Sequence, residues 1–158
     1  MNINELIFRD TVQKSDVEAI NEIVKSTGYF TKEEEDIAEE LIVERLEKSI
    51  KCGYLFNFLE YRNKVVAYTC FGPIPCSYVS YDLYWIVVHN DFRNKGIGKY
   101  LLKMTEDYIK NSGGIQIFVD TSTKEQYLST RTFYEKSGYI KNVIFEDFYD
   151  INDGKVVY

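Results

Sequence analysis

Apolar and polar side chains alternate along residues 3–9 well enough to predict a first strand, and from residue 16 the spacing lengthens. Val17, Ile20, Ile23 and Val24 recur at intervals of three and four, which places them on one helical face. Ser15 and Glu18 form a capping-box pattern ahead of that run, and Gly28 supplies its stop. Thr31 and Glu34 repeat the pattern, after which Ile37, Ala38, Leu41, Ile42, Leu46 and Ile50 trace one apolar stripe and predict a second helix. Its acidic opening, Glu33 to Asp36, suits the positive end of the helix dipole and reads as a solvated terminus.

From Gly53 the period falls to two. Runs over 54–61 and 64–71 meet at Arg62-Asn63, predicting a hairpin, and Gly72-Pro73-Ile74-Pro75 breaks the second run. Tyr78 to Val88 is nearly continuous aromatic and β-branched sequence, which predicts a central strand covered on both faces. Ile97, Leu101, Met104 and Tyr108 then return to helical spacing up to Asn111, Ile115 to Val119 reads as another strand, and Asn152-Asp153-Gly154 marks a C-terminal hairpin. With no repeat, low-complexity tract or Pro/Gly/Ser-rich linker, one domain over 1–158 is expected.

Composition narrows the function classes. At 45% hydrophobic and 28% charged residues, the 158-residue chain reads as a soluble globular protein able to bury a core. Its 19 basic and 25 acidic residues give a net charge of -6, which argues against a nucleic-acid partner, since phosphate neutralisation needs clustered Lys and Arg. A lone histidine, His89, excludes mechanisms that need a His pair or a multi-histidine metal site. Cys52, Cys70 and Cys76 match no disulfide framework and no C-x-x-C pair, so they read as reduced thiols, and no metal is expected. Met1 to Asp10 resembles neither signal nor transit peptide and no run reaches membrane-span length, so a cytoplasmic location without a membrane partner is expected.

The segment His89-Asn90-Asp91-Phe92-Arg93-Asn94-Lys95-Gly96-Ile97-Gly98-Lys99 joins the apolar strand to the third helix. A turn with two glycines at a helix N-terminus directs backbone N–H groups outward and lets an anionic oxygen come close. Arg93, Lys95 and Lys99 add positive charge to a chain that is negative in sum. A Walker loop would need Gly at 93 and Ser or Thr at 100, where Arg93 and Tyr100 stand; a dinucleotide fingerprint would need Gly or Ala at 101, which is Leu101. A glycine turn that merely caps a helix fits the same residues.

Arg93-x-x-Gly96-x-Gly98 after a strand ending in Val88 resembles the acetyl-CoA pyrophosphate motif of the GNAT acyltransferase superfamily. Phe133-Tyr134-Glu135-Lys136-Ser137-Gly138-Tyr139 resembles the signature that follows in that family, in the same order and with a strand between the two. Two departures are visible: Asn90 stands where many members have Pro, and Tyr127 where many have Asn. The resemblance implies an α+β fold, with a twisted, mostly antiparallel mixed sheet, helices on both faces and a splay between the fourth and fifth strands. It also implies acetyl-CoA as co-substrate and no metal.

What the resemblance implies for the site is a donor held by the backbone of Ile86, Val87 and Val88, by the turn Arg93, Asn94, Lys95, Gly96, Ile97, Gly98 and Lys99, and by Tyr127 and Thr130. Val88 N–H would polarise the thioester carbonyl, and Tyr134, protonated at neutral pH, would donate to the leaving sulfur. Asp120 at a strand end, or Asp82 two residues before Tyr84, would take the amine's proton. Tyr29, Phe30, Tyr81 and Tyr84 would line the acceptor side, where aromatic faces with nearby carboxylates suit a cationic amine. The expected reaction is acetyl transfer to a primary amine of a small molecule, amino acid or peptide, by a monomer or homodimer. A non-catalytic acyl-CoA-binding module partnering another enzyme, or a nucleotide binder using the Gly96 turn, are the other classes the residues leave open.

Overall fold

A computed structural model describes residues 3–158. Five strands form one sheet in the order β1 (Ile7–Arg9), β2 (Leu55–Tyr61), β3 (Lys64–Pro73), β4 (Ser80–Val88) and β5 (Gln116–Phe118), antiparallel except for the parallel β4–β5 pair. Three more, β6 (Asp120–Ser122), β7 (Val143–Asp150) and β8 (Asp153–Val157), form an antiparallel sheet in the order β6-β8-β7. Helices α1 (Asp16–Ser26) and α2 (Lys32–Lys48) cover one face of the larger sheet; α3 (Ile97–Asn111) and α4 (Leu128–Lys136) pack on the other side. This is the mixed α+β arrangement expected. No helix among the described residues is long and apolar enough to cross a membrane.

The core has two faces because β3 alternates. Val65, Tyr68 and Cys70 meet Ile20, Ile23, Val24, Ala38 and Ile42 of α1 and α2, while Val66, Ala67 and Phe71 meet Ile97, Leu101, Leu102 and Ile109 of α3. The fully covered strand is therefore β3, buried from Val65 to Gly72, and not β4 as its composition predicted. One edge of β4 opens into a cleft, which leaves most of its residues only half covered.

Local signals fared unevenly. Thr31 and Glu34 form the capping box, Glu34 N donating to Thr31 Oγ1 at 3.3 Å and Thr31 N to Glu34 Oε2 at 2.7 Å. Ser15 makes no side-chain cap. Asp16, 1% exposed, ties the helix start to the preceding chain instead: its carboxylate accepts from Gln13 N at 2.7 Å and from both terminal nitrogens of Arg9 at 2.9 and 2.7 Å. At the chain start only Ile7–Arg9 is strand, because Ile3–Glu5 winds into a 3-10 turn. Ile50 leaves the α2 stripe because the helix ends at Lys48 and a 3-10 turn turns it to solvent; Ile37 is also exposed. Arg62 and Asn63, at φ 50° and 62°, make the two-residue turn whose twist matches its strands. The last hairpin turns one residue earlier than expected, at Ile151-Asn152.

Candidate active site

β4 and β5 pair only between Ser80–Asp82 and Gln116–Phe118. Beyond that, the edge of β4 facing away from β3 has no strand partner among the described residues, while the chain after β5 passes through Val119 into the second sheet. The strands splay, and a cleft of about 340 Å3 opens between them. Ile86, Val87 and Val88 line it from β4, and Thr27, Tyr29 and Phe30 from the α1–α2 connection. Ser129, Thr130 and Phe133 of α4 form the opposite wall.

The far end of the cleft is the glycine turn. Arg93, Asn94, Gly96, Ile97, Gly98 and Lys99 all line it, together with Phe92. Asn94 and Gly96 both sit at positive φ, 60° and 81°, and Gly96 is the N-cap of α3. Two left-handed positions, one residue apart at a helix start, turn several N–H groups to one side, where intrahelical acceptors are lacking. A Cβ on Gly98 would come no closer than 3.5 Å to the Phe133 ring and 3.7 Å to Val88 Cγ2, which is ordinary contact. Protein packing thus does not demand glycine at 98. The unpaired strand edge, the N–H cradle and the cationic side chains of Arg93 and Lys99 together fit a long donor with a diphosphate at one end and amides along its arm.

Other site residues predicted from sequence stand elsewhere. Lys95 is outside the lining: its ammonium donates to Asp91 O at 2.5 Å and lies 5.3 Å from the Phe92 ring centroid. Tyr127 is the N-cap residue of α4 and points at α2, its hydroxyl donating to Glu34 Oε1 at 3.1 Å; burial pushes its phenol up to about 12. Tyr29 ties the two sides of the cleft, with its hydroxyl bonded to Gln126 O, its ring edge-on to Tyr127 at 5.9 Å and Arg93 Cζ 5.6 Å from its centroid. Tyr81 packs with the α3-side core, whereas Tyr84 is partly exposed and meets the ring of Tyr54 edge-on at 5.6 Å. Tyr84 is also the extra residue of a bulge: Cys70 pairs with Trp85 and Phe71 with Leu83, so β4 changes phase there.

Tyr134 is 4% exposed and lies among the rings of Phe133, Tyr139 and Tyr158, next to the wall formed by Phe133 and Thr130. Burial pushes its phenol far above the ordinary tyrosine value, so it is protonated throughout the neutral range. Its hydroxyl has no hydrogen-bond partner among the described residues, and Tyr134 stands behind the wall rather than among the residues that line the cleft. Asp82 and Asp120 lie within electrostatic reach of each other. Burial, and then the charge of Asp120, raise the Asp82 carboxyl above its usual range, with Lys155 pulling the other way. Asp120 is bonded to Lys155 Nζ at 3.0 Å.

Sequence reasoning missed Thr27, Phe92, Ser129 and Phe133 in the lining, and Glu34 and Lys155 beside the polar groups. Ser129 and Phe133 were within reach, since they stand four apart on the helix that also carries Thr130. Lys155 was not, because only the pairing of β6 with β8 brings it to Asp120.

The acetyltransferase (GNAT) family profile matches residues 17–139. A Desulfovibrio desulfuricans crystal structure assigned to that family as an acetyltransferase is 37% identical, with a TM-score of 0.95 over 97% of this chain and 96% of that one. The ribosomal-protein-S18-alanine N-acetyltransferase of Escherichia coli, at 17% identity, shares the fold with a TM-score of 0.75 over 96% and 90% of the two chains. An aminoglycoside 6'-N-acetyltransferase from Enterococcus faecium, at 16% identity, does so at 0.75 over 96% and 94%. No match was found among curated proteins. The chain belongs to the GNAT family, and it is an acyltransferase.

Proposed function

We propose that this acyltransferase moves the acetyl group of acetyl-CoA to a primary amine of a small molecule, amino acid or peptide by direct attack of the amine on the thioester. The observation that carries the reading is the cleft itself, an unpaired strand edge that ends in a glycine turn flanked by Arg93 and Lys99. The turn's N–H groups with Arg93 and Lys99 would hold the pyrophosphate, and the open edge of Ile86 to Val88 would bond the amides of the pantetheine arm. Acetyl-CoA supplies an activated acyl carbon and a thiolate leaving group. Val88 N–H, six residues of extended strand or about 20 Å from Asp82, is too far from that carboxylate to hold the carbonyl. Ile86 N–H, on the same open edge and four residues from Asp82, polarises it instead, the Asp82/Asp120 pair takes a proton from the acceptor ammonium through water, and Tyr134 gives its proton to the departing sulfur. The proton count balances. Of the two protons the ammonium nitrogen loses, one passes through the carboxylate to solvent, and the other restores the tyrosine.

The acceptor side is read from the ring cluster of Tyr29, Phe30 and Tyr127, the last of which donates its hydroxyl to Glu34, and from Tyr84 beside Asp82. Aromatic faces near carboxylates favour a cationic amine. Free-thiol release from acetyl-CoA is expected with at least one member of a panel containing spermidine, tyramine, lysine and a short peptide with a free N-terminus. Tight CoA binding with no release for any amine would favour the non-catalytic module instead.

A second test separates ligand from packing. Gly98→Ala adds a methyl in ordinary contact with Phe133 and Val88 and removes a helical glycine, so thermal stability should hold or rise by about 2–4 °C, the equivalent of roughly 1 kcal/mol. Calorimetric affinity for CoA should fall about tenfold or more, because the new methyl enters the cradle. Unchanged CoA affinity would place the pyrophosphate elsewhere.

A further inference from the structure

The Lys155 side chain is only 19% exposed, unusual for a residue that normally keeps its ammonium in water. Its Nζ sits 3.0 Å from Asp120 Oδ2, 4.2 Å from the centroid of Phe148 and 5.6 Å from that of Phe145. Local geometry builds this cage. Phe145 pairs with Lys155 across the β7–β8 ladder, whereas the next pair is Asp150 with Asp153, so Glu146 to Tyr149 form an excursion that carries Phe148 over the ammonium. Gly154 lies beneath the excursion, where a Cβ would come within 2.7 Å of Phe145 O. Four-fifths burial, an ion pair and two ring faces hold one flexible side chain in place, although each contact alone is weak.

The held cation stands beside two carboxylates. Asp82 comes from β4 and Asp120 from the start of β6, and neighbouring carboxylates without a cation tend to share one proton. The groups around Asp82 are few: Gly72 opposite it on β3, Phe118 on β5, Tyr84 on its own strand, Asp120 and Lys155. Around Asp120 stand Lys155 and Tyr149, and Asp153, near Tyr149, is itself engaged by Lys124 at 3.1 Å and by Ser122. Resting on the acetyl-transfer reading above, we infer that Lys155 is a positioning residue that engages Asp120 in a fixed ion pair and leaves Asp82 as the carboxylate that accepts the ammonium's proton. Lys155 itself touches neither donor nor acceptor in this scheme.

The test needs no substrate. In protein carrying 13C-labelled aspartate, carboxyl titration by NMR is expected to place the Asp82 midpoint about one pH unit higher in Lys155→Met than in the native chain. Lys155→Arg should restore it, and Asp120→Asn should move it down, because the like charge is gone and the cation remains. In the thiol-release assay with the best amine of the panel, the acid limb of kcat/KM should follow the same shifts, and Asp82→Asn should erase it. An Asp82 midpoint unmoved in Lys155→Met, with only a lower melting temperature, would reduce Lys155 to a packing role and overturn the inference. An Asp82→Asn enzyme with an intact limb would overturn the choice of base even where acetyl transfer stands. Absence of thiol release with every amine would defeat the acetyl-transfer reading, and the inference that rests on it, whatever the titration shows.

Discussion

Tyr134→Phe is expected to lower kcat by about 100-fold or more, the usual cost of losing a general acid, while KM for acetyl-CoA stays within a few-fold. The substitution is unusually clean here. The ring packs among Phe133, Tyr139 and Tyr158, which phenylalanine would satisfy equally, and no intramolecular hydrogen bond ends on the hydroxyl among the described residues. A melting temperature close to that of the native chain should accompany the rate loss. The pH dependence has a definite sign: burial raises the phenol, the protonated form is the active one, and so ionisation of Tyr134 should produce no alkaline loss of kcat below about pH 10. A steady-state profile with full turnover in the variant would remove Tyr134 from the chemistry.

Gly72→Ala is expected to be among the most damaging substitutions for stability. A Cβ there would lie 2.1 Å from the carbonyl oxygen of Gly53, a backbone atom that cannot swing aside as a side chain can. Overpacking of this kind costs about 3 kcal/mol, which for a chain of this size lowers the melting temperature by roughly 6–12 °C. The effect should reach the site as well, because Gly72 pairs with Asp82 across β3 and β4. Thermal denaturation monitored by circular dichroism would read the loss, and a variant that melts with the native chain would mean that the 53–54 segment moves easily.

Features written in consecutive residues are legible from the sequence. The Thr31–Glu34 box, the Arg62-Asn63 turn and the strand–glycine turn–helix order are each set by a few neighbours, and each forms as expected. The Ser15 pattern fails because its backbone is already helical, at φ -66° and ψ -17°, where a capping residue needs an extended conformation; Asp16 meanwhile pairs with Arg9 and takes the N–H of Gln13. Burial of β4 is overestimated for a different reason. Its aromatic and β-branched composition is what a covered strand needs, but nothing in it announces that β5 will leave after three residues. At the site, the glycine cradle can be read from spacing alone, whereas the Asp82, Asp120 and Lys155 grouping depends on three strands meeting across two sheets. The pair of carboxylates is visible as two candidates, and the cation beside them is not.

The single unmatched residue at Tyr84 constrains how the length of this strand can vary. Upstream of it Leu83 faces α3 and Asp82 the opposite side; downstream, Trp85 and Val87 face α1 and α2. Deleting Tyr84 would leave Leu83 opposite Phe71 and Trp85 opposite Cys70 in regular pairing, so every side chain would keep its present face and only the local bend of the strand would be lost. Relatives of this chain can therefore keep or lose the bulge at Tyr84, whereas other changes of length should be confined to the flanks of β4, where the segment 74–79 and the turn at 89–95 can absorb them.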